Sequence, residues 1–204
     1  MTLDIYISEQ AFLGIVFAAA EVYRRECYGF LFGYALPGKV IVEGALPYQT
    51  AERRFSEVSL FERENKVIQS VIARFPKHEY LGEFHSHADY RGREAQAALT
   101  DDDLLDMHGS EIALVVAVNP RRRKRPWSAN ADGSLSGTLG SWRFTIAGFA
   151  PAPTRLSKPA DEPRLHRGES AGCRSLRTPN SCPRPRILRA RICCPYAVGL
   201  LRNA

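Results

Sequence analysis

Two apolar runs, Tyr28–Leu36 (YGFLFGYAL) and residues 39–46 (KVIVEGAL), stand on either side of Pro37-Gly38. Runs rich in aromatic and β-branched residues read as strands, and a Pro-Gly turn between two of them makes a β-hairpin. A hairpin forces its strands to be antiparallel neighbours, which excludes a purely parallel, doubly wound sheet. Ahead of it, residues 3–7 alternate like a strand, and Ser8 with Glu9 opens a helix expected to run to about Arg25. Residues 58–75 carry apolar side chains at helical spacing and stop at Pro76. Residues 79–87, 111–118 and 141–149 read as further strands, and residues 100–107 as a short helix. The expected fold class is α/β, a mixed and mainly antiparallel β-sheet flanked by helices.

The pattern that can build a core ends near residue 150. Residues 151–204 hold 8 of the 13 prolines, and 10 Arg and 1 Lys against 3 acids. Their net charge of +8 outweighs the −2 of residues 1–150, so the overall +6 argues for no nucleic-acid surface on the folded part. The basic run at residues 121–125 has no aromatic platform beside it and reads as a solvated loop. The expected organisation is one globular domain, residues 1–150, followed by a Pro/Arg/Cys-rich tail, residues 151–204, disordered by default. The spacing of Cys173, Cys182, Cys193 and Cys194 in that tail matches no familiar zinc knuckle or ribbon. Cys27 is the single cysteine before residue 151, so the domain has no internal disulfide, which fits the reducing cytoplasm. Residues 11–20 (AFLGIVFAAA) lack a preceding positive region and are too short to span a membrane. They read as a buried helix face.

The chemistry concentrates between Tyr80 and Asp103. Strand alternation turns His85 and His87 to one face, a ready pair of nitrogen ligands. A carboxylate from the next element would complete a His₂-carboxylate set with one position open, the pattern of catalytic rather than structural zinc. The bland alternative is that His-Ser-His is the polar end of a strand. Thr100-Asp101-Asp102-Asp103 also has a reading without metal, as an N-cap and three acids complementing a helix dipole. Asp101, Asp102 and Asp89 therefore stand as alternatives to Asp103. Glu26 sits where the first helix gives way to a strand, in reach of a neighbouring strand end. Glu83 shares the face of both histidines and competes with it.

Glu26-x-x-Gly29-x-Leu31-x-Gly33, then Gly82-x-x-His85-Ser86-His87, then Thr100-x-x-Asp103 resemble in that order the motifs of the JAMM metalloproteases. These are the catalytic branch of the JAB/MPN-domain family, and the resemblance covers about residues 1–150. It implies an MPN/JAB-like, cytidine-deaminase-like architecture, with His85, His87 and Asp103 binding Zn2+. Glu26 would be the base, and Thr100 stands where the family has a serine that hydrogen-bonds the developing oxyanion. The implied activity is that of a peptidase or isopeptidase, releasing a ubiquitin-like or sulfur-carrier protein C-terminus from an attached amine. The flexible end of that modifier would lie along a sheet edge as an added strand. A homodimer is admitted. Two features depart from the family. Ala88 replaces a proline after the second histidine, and fifteen residues, 88 to 102, separate His87 from Asp103. The competing expectation is a non-catalytic MPN-like scaffold that binds no metal.

Overall fold

The structure, a computed structural model, describes residues 3–48, 52–53, 58–59, 70, 74, 78–89, 92–107, 111–152 and 186–199. The chain begins with β1 (Asp4–Ile7), α1 (Glu9–Glu21), β2 (Tyr28–Leu36) and β3 (Lys39–Pro47). Two short strands, β4 (Glu52–Arg53) and β5 (Val58–Ser59), pair only with each other. Then come β6 (Glu79–Ala88), α2 (Asp101–Asp106), β7 (Ile112–Pro120), β8 (Ser128–Ala129), β9 (Leu135–Leu139) and β10 (Trp142–Pro151). β11 (Ile187–Cys193) and α3 (Pro195–Gly199) follow. Apart from Val58–Ser59 at its start and single positions within it, the helix expected over residues 58–75 lies outside the described residues.

The strands run in the order β11-β1-β3-β2-β6-β7-β10, and β11 pairs again with β10, so seven strands close into a mixed barrel. β11 is parallel to β1, with Ile5 beside Ile192, and antiparallel to β10, with Pro151 beside Ile187. β10 divides its length between neighbours. On one side Trp142–Phe149 pairs with β7; on the other, Trp142–Ile146 pairs with β9 and Gly148–Pro151 with β11.

This closure corrects the expected fold class. The molecule is mostly β, with three short helices among the described residues, and is neither an α/β sheet flanked by helices nor the MPN/JAB-like, cytidine-deaminase-like architecture that the motif resemblance implied. The cause is β11: open edges on β1 and β10 are both satisfied by one strand that composition had assigned to a disordered tail. For residues 187–199 that expectation does not hold. Ala190, Ile192, Cys194 and Ala197 are buried in the main core beside Ile5 and Phe144.

α1 forms as its sequence dictates. The Ser8 hydroxyl accepts from the Ala11 N–H, Glu9 lies in the first turn, and Ala11, Phe12, Ile15, Val16, Ala18 and Ala19 recur on one buried face. Phe12 meets Trp127 edge-on at 4.8 Å between ring centres. No helix among the described residues is long and apolar enough to cross a membrane.

Gly82 is required where β6 presses on β7. Its φ is +140°, and a Cβ there would lie 1.9 Å from the Ile112 carbonyl oxygen, a backbone atom that cannot yield. Gly82→Ala is expected to cost more than about 3 kcal/mol, combining backbone strain with a forced separation of two central strands. A urea midpoint within a few tenths of a molar of wild type would contradict this packing.

Candidate metal centre

β6 lies between β2 and β7 and carries its side chains alternately inward and outward. Phe84 and Ser86 are buried in the barrel, whereas Glu83, His85 and His87 share the opposite, half-buried face. Ser86 is a polar residue in an apolar interior, and its hydrogen bonds account for it. Its Oγ accepts from the Cys27 N–H at 2.9 Å, and its own N–H donates to the Cys27 carbonyl at 3.0 Å. These bonds extend the β2–β6 ladder one rung past the Tyr28–His85 pair. The next residue, Glu26, is half-buried and lies just before this rung.

The acid comes from the start of α2. Thr100 Oγ1 accepts from the Asp103 N–H at 3.2 Å, and Asp103 Oδ2 accepts from the Thr100 N–H at 2.7 Å, a reciprocal capping box. The same carboxylate reaches the histidines. Its Oδ1 lies 3.4 Å from His85 Nε2, and its Oδ2 lies 3.8 Å from His87 Nε2. The two Nε2 atoms are 3.2 Å apart. The capping box and the approach to the two histidines are made by the same carboxylate.

Tetrahedral zinc with bonds of about 2.0–2.1 Å holds its ligand atoms about 3.3–3.4 Å apart. The separations of 3.2, 3.4 and 3.8 Å bracket that value, so the three residues fit one small divalent cation. Among the described residues, this is the one group of three or more His, Cys, Asp or Glu side chains with ligand atoms clustered within 4.8 Å. Asp89, Asp101, Asp102 and Glu26 fall outside it. Glu83 is engaged elsewhere, for its Oε1 accepts from the Tyr80 hydroxyl at 3.2 Å. Burial first, and then the Glu83 charge, push the Tyr28 and Tyr80 phenols well above their ordinary range.

The protonation states suit a ligand set. His87 Nδ1 lies 2.9 Å from the Gln96 carbonyl, which can only accept, so Nδ1 carries the proton and the Nε2 lone pair faces His85 and Asp103. Burial, reinforced by His85, lowers the His87 pKa, against weaker opposition from Gln96 and Asp103. Burial alone would raise Asp103, but bonds and charge from His85 and the Thr100 cap outweigh it and hold the carboxyl well below its usual range. Sequence reasoning missed Ser86 and Gln96. The first carried a signal, a serine forced to the core face by its neighbours' alternation. The second acts through a backbone carbonyl and carried none.

Both depressed pKa values have the same sign for stability. As pH falls through 6.5, the ordinary value for His87, the unfolded chain takes up the proton before the folded one. That contribution is complete above 6.5 and is lost on descending toward the lowered folded value. Asp103 adds a second loss below its ordinary 3.8. The metal-free protein is expected to melt at progressively lower temperature from about pH 7 to pH 5, and His87→Gln to flatten that slope. Equal slopes for the two proteins would contradict the burial of this imidazole.

No protein-family model matches the chain. No curated protein matches it either. Among solved structures, it is similar to the solution structure of protein DSY2949 from Desulfitobacterium hafniense, with 15% identity and a TM-score of 0.49. That similarity covers 93% of this chain and 92% of the other.

Proposed function

We propose that the chain is a zinc-dependent peptidase or isopeptidase of the JAMM type, acting in the cytoplasm. Its substrate would be a ubiquitin-like or sulfur-carrier protein whose C-terminus is joined to an amine. The observation that carries this reading is the His85–His87–Asp103 group, whose ligand atoms stand at zinc spacing on one half-buried face. The reading rests on this constellation and on the motif residues around it, not on the fold class.

Zinc bound there supplies Lewis acidity, polarising a carbonyl and allowing hydrolysis by water near neutral pH. His87 offers its bare Nε2 because the Gln96 carbonyl holds the other nitrogen's proton. Glu26, next to the Cys27 that bonds Ser86 between the two histidines, would take the proton of the attacking water and return it to the leaving amine. Thr100 Oγ1 receives the Asp103 N–H, and its own hydroxyl proton would be the donor to the developing oxyanion.

Glu26→Gln separates chemistry from metal binding. The variant is expected to keep one zinc per chain while hydrolysis of a ubiquitin-like protein fused to a C-terminal peptide falls at least about a hundred-fold. Zinc-loaded wild type that cleaves no such fusion, isopeptide or linear, would remove the enzyme reading. A zinc-free wild type would leave a non-catalytic scaffold.

A further inference from the structure

The segment between β6 and α2 crosses the outer face of β7 and β10, where side chains far away in sequence hold it. Asn119, at the end of β7, is 2% exposed, and its amide is spent wholly on Ala95. Asn119 Oδ1 accepts from the Ala95 N–H at 2.8 Å, and Nδ2 donates to the Ala95 carbonyl at 3.1 Å. Ala97 is buried against Ala117 and Ala147, and its carbonyl accepts from Arg189 Nη2 at 3.1 Å. Arg189 belongs to β11 and is itself fixed by Asp132 at 2.8 Å and by the Phe149 ring. Between these two clamped alanines stands Gln96, whose carbonyl meets His87 Nδ1.

A buried amide that makes both its bonds to one loop residue does nothing for the strand it sits on. Removing it would leave the Ala95 backbone polar groups with no protein partner and free the loop to slide. We infer that Asn119 and Arg189 are positioning residues for the metal centre: they set the Gln96 carbonyl on His87 and so select the imidazole tautomer that presents Nε2. Closure of the barrel by β11 and completion of the ligand set are then one event. The inference rests on the metal reading for its consequence, but the tautomer exists with or without an ion.

The test uses the full chain. Long-range proton–nitrogen spectra of the metal-free protein report the His87 tautomer, and competition with a chromophoric chelator reports zinc affinity. Wild type should show His87 protonated at Nδ1. In Asn119→Ala both tautomers should appear and zinc affinity should fall about ten- to a hundred-fold, the range for partners that orient a ligand. Arg189→Met should shift both readouts in the same direction, and Arg189→Lys should recover part of the loss. Should Asn119→Ala fail to fold, Asn119→Asp keeps the acceptor for the Ala95 N–H, loses the donor, and should give an intermediate result. Glu94→Gln, which breaks exposed ion pairs with Arg122 and Arg143 in the same segment, should change neither readout. Folded Asn119 and Arg189 variants with the wild-type tautomer and zinc affinity would overturn the inference and leave the metal reading standing. If wild type binds no zinc, the metal reading falls, and the tautomer comparison still decides whether these residues orient His87.

Discussion

His87→Ala is expected to weaken zinc binding by more than about a hundred-fold, and so to be emptied by dialysis against a chelator that leaves one equivalent on wild type. Structural zinc sites bind with apparent free energies of about 10–16 kcal/mol shared among four ligands, so one ligand represents about 3 kcal/mol, a loss beyond a hundred-fold. His85→Ala should behave alike, since both Nε2 atoms stand within 4 Å of the Asp103 carboxylate. Asp103 needs a subtler test. Asp103→Ala removes a ligand and also the reciprocal cap on α2, so lost metal would be confounded with a frayed helix. Asp103→Asn keeps an acceptor for the Thr100 N–H and discards the charge. It should retain the helix and lose zinc, whereas Asp101→Asn and Asp102→Asn should retain both. Zinc that binds only the folded state raises its stability by mass action, so the melting temperature of wild type should climb with added zinc and that of His87→Ala should not. Metal content measured by elemental analysis on wild type and these five variants decides the matter. Full occupancy in His87→Ala would dismantle the proposed ligand set.

The elements legible in the sequence are those whose signal is local. The hairpin of β2 and β3 announced itself through two apolar runs and a Pro-Gly turn, and it forms over Tyr28–Leu36 and Lys39–Pro47. Asp103 was legible as a capping acid and His85 with His87 as a same-face pair, because period and spacing encode both. β9 was not, since Leu135–Leu139 (LSGTL) has the composition of a loop, and Gly137 is there to admit the Trp127 ring. A Cβ at Gly137 would lie 2.4 Å from that indole, so the glycine that disguises the strand is what lets it pack. The loop that orients His87 was illegible for a different reason: a backbone carbonyl at Gln96 has no residue-type signature. The fold class failed on one distant strand, β11, which pairs with both β1 and β10. Asp4 is hydrogen-bonded to Arg191 across 187 residues, and no window of sequence contains both partners.

Ending the chain at Ala152 is therefore expected to unfold it. The truncation removes the buried Ala190, Ile192, Cys194 and Ala197 and uncovers Ile5 and Ala150 beside them. Burial of Ile192 alone represents about 2–3 kcal/mol, and its uncovered neighbours add to that. Two strand edges, on β1 and β10, lose their ladders at the same time, together with the Arg191–Asp4 and Arg189–Asp132 ion pairs. The sum is comparable to the whole stability of a domain, about 5–15 kcal/mol, and exposed edges invite aggregation. An internal deletion tests the same argument from the other side. Ala152 N–H already donates to the Arg186 carbonyl across the end of the β10–β11 ladder. Joining Ala152 to Arg186 through Asn-Gly, in place of residues 153–185, makes a two-residue hairpin of the favoured twist. That shortened protein should unfold cooperatively and bind zinc like wild type, while the chain ending at Ala152 should show neither property. A truncated chain that melts cooperatively would mean that six strands suffice and that β11 is an accessory to the barrel rather than its closing stave.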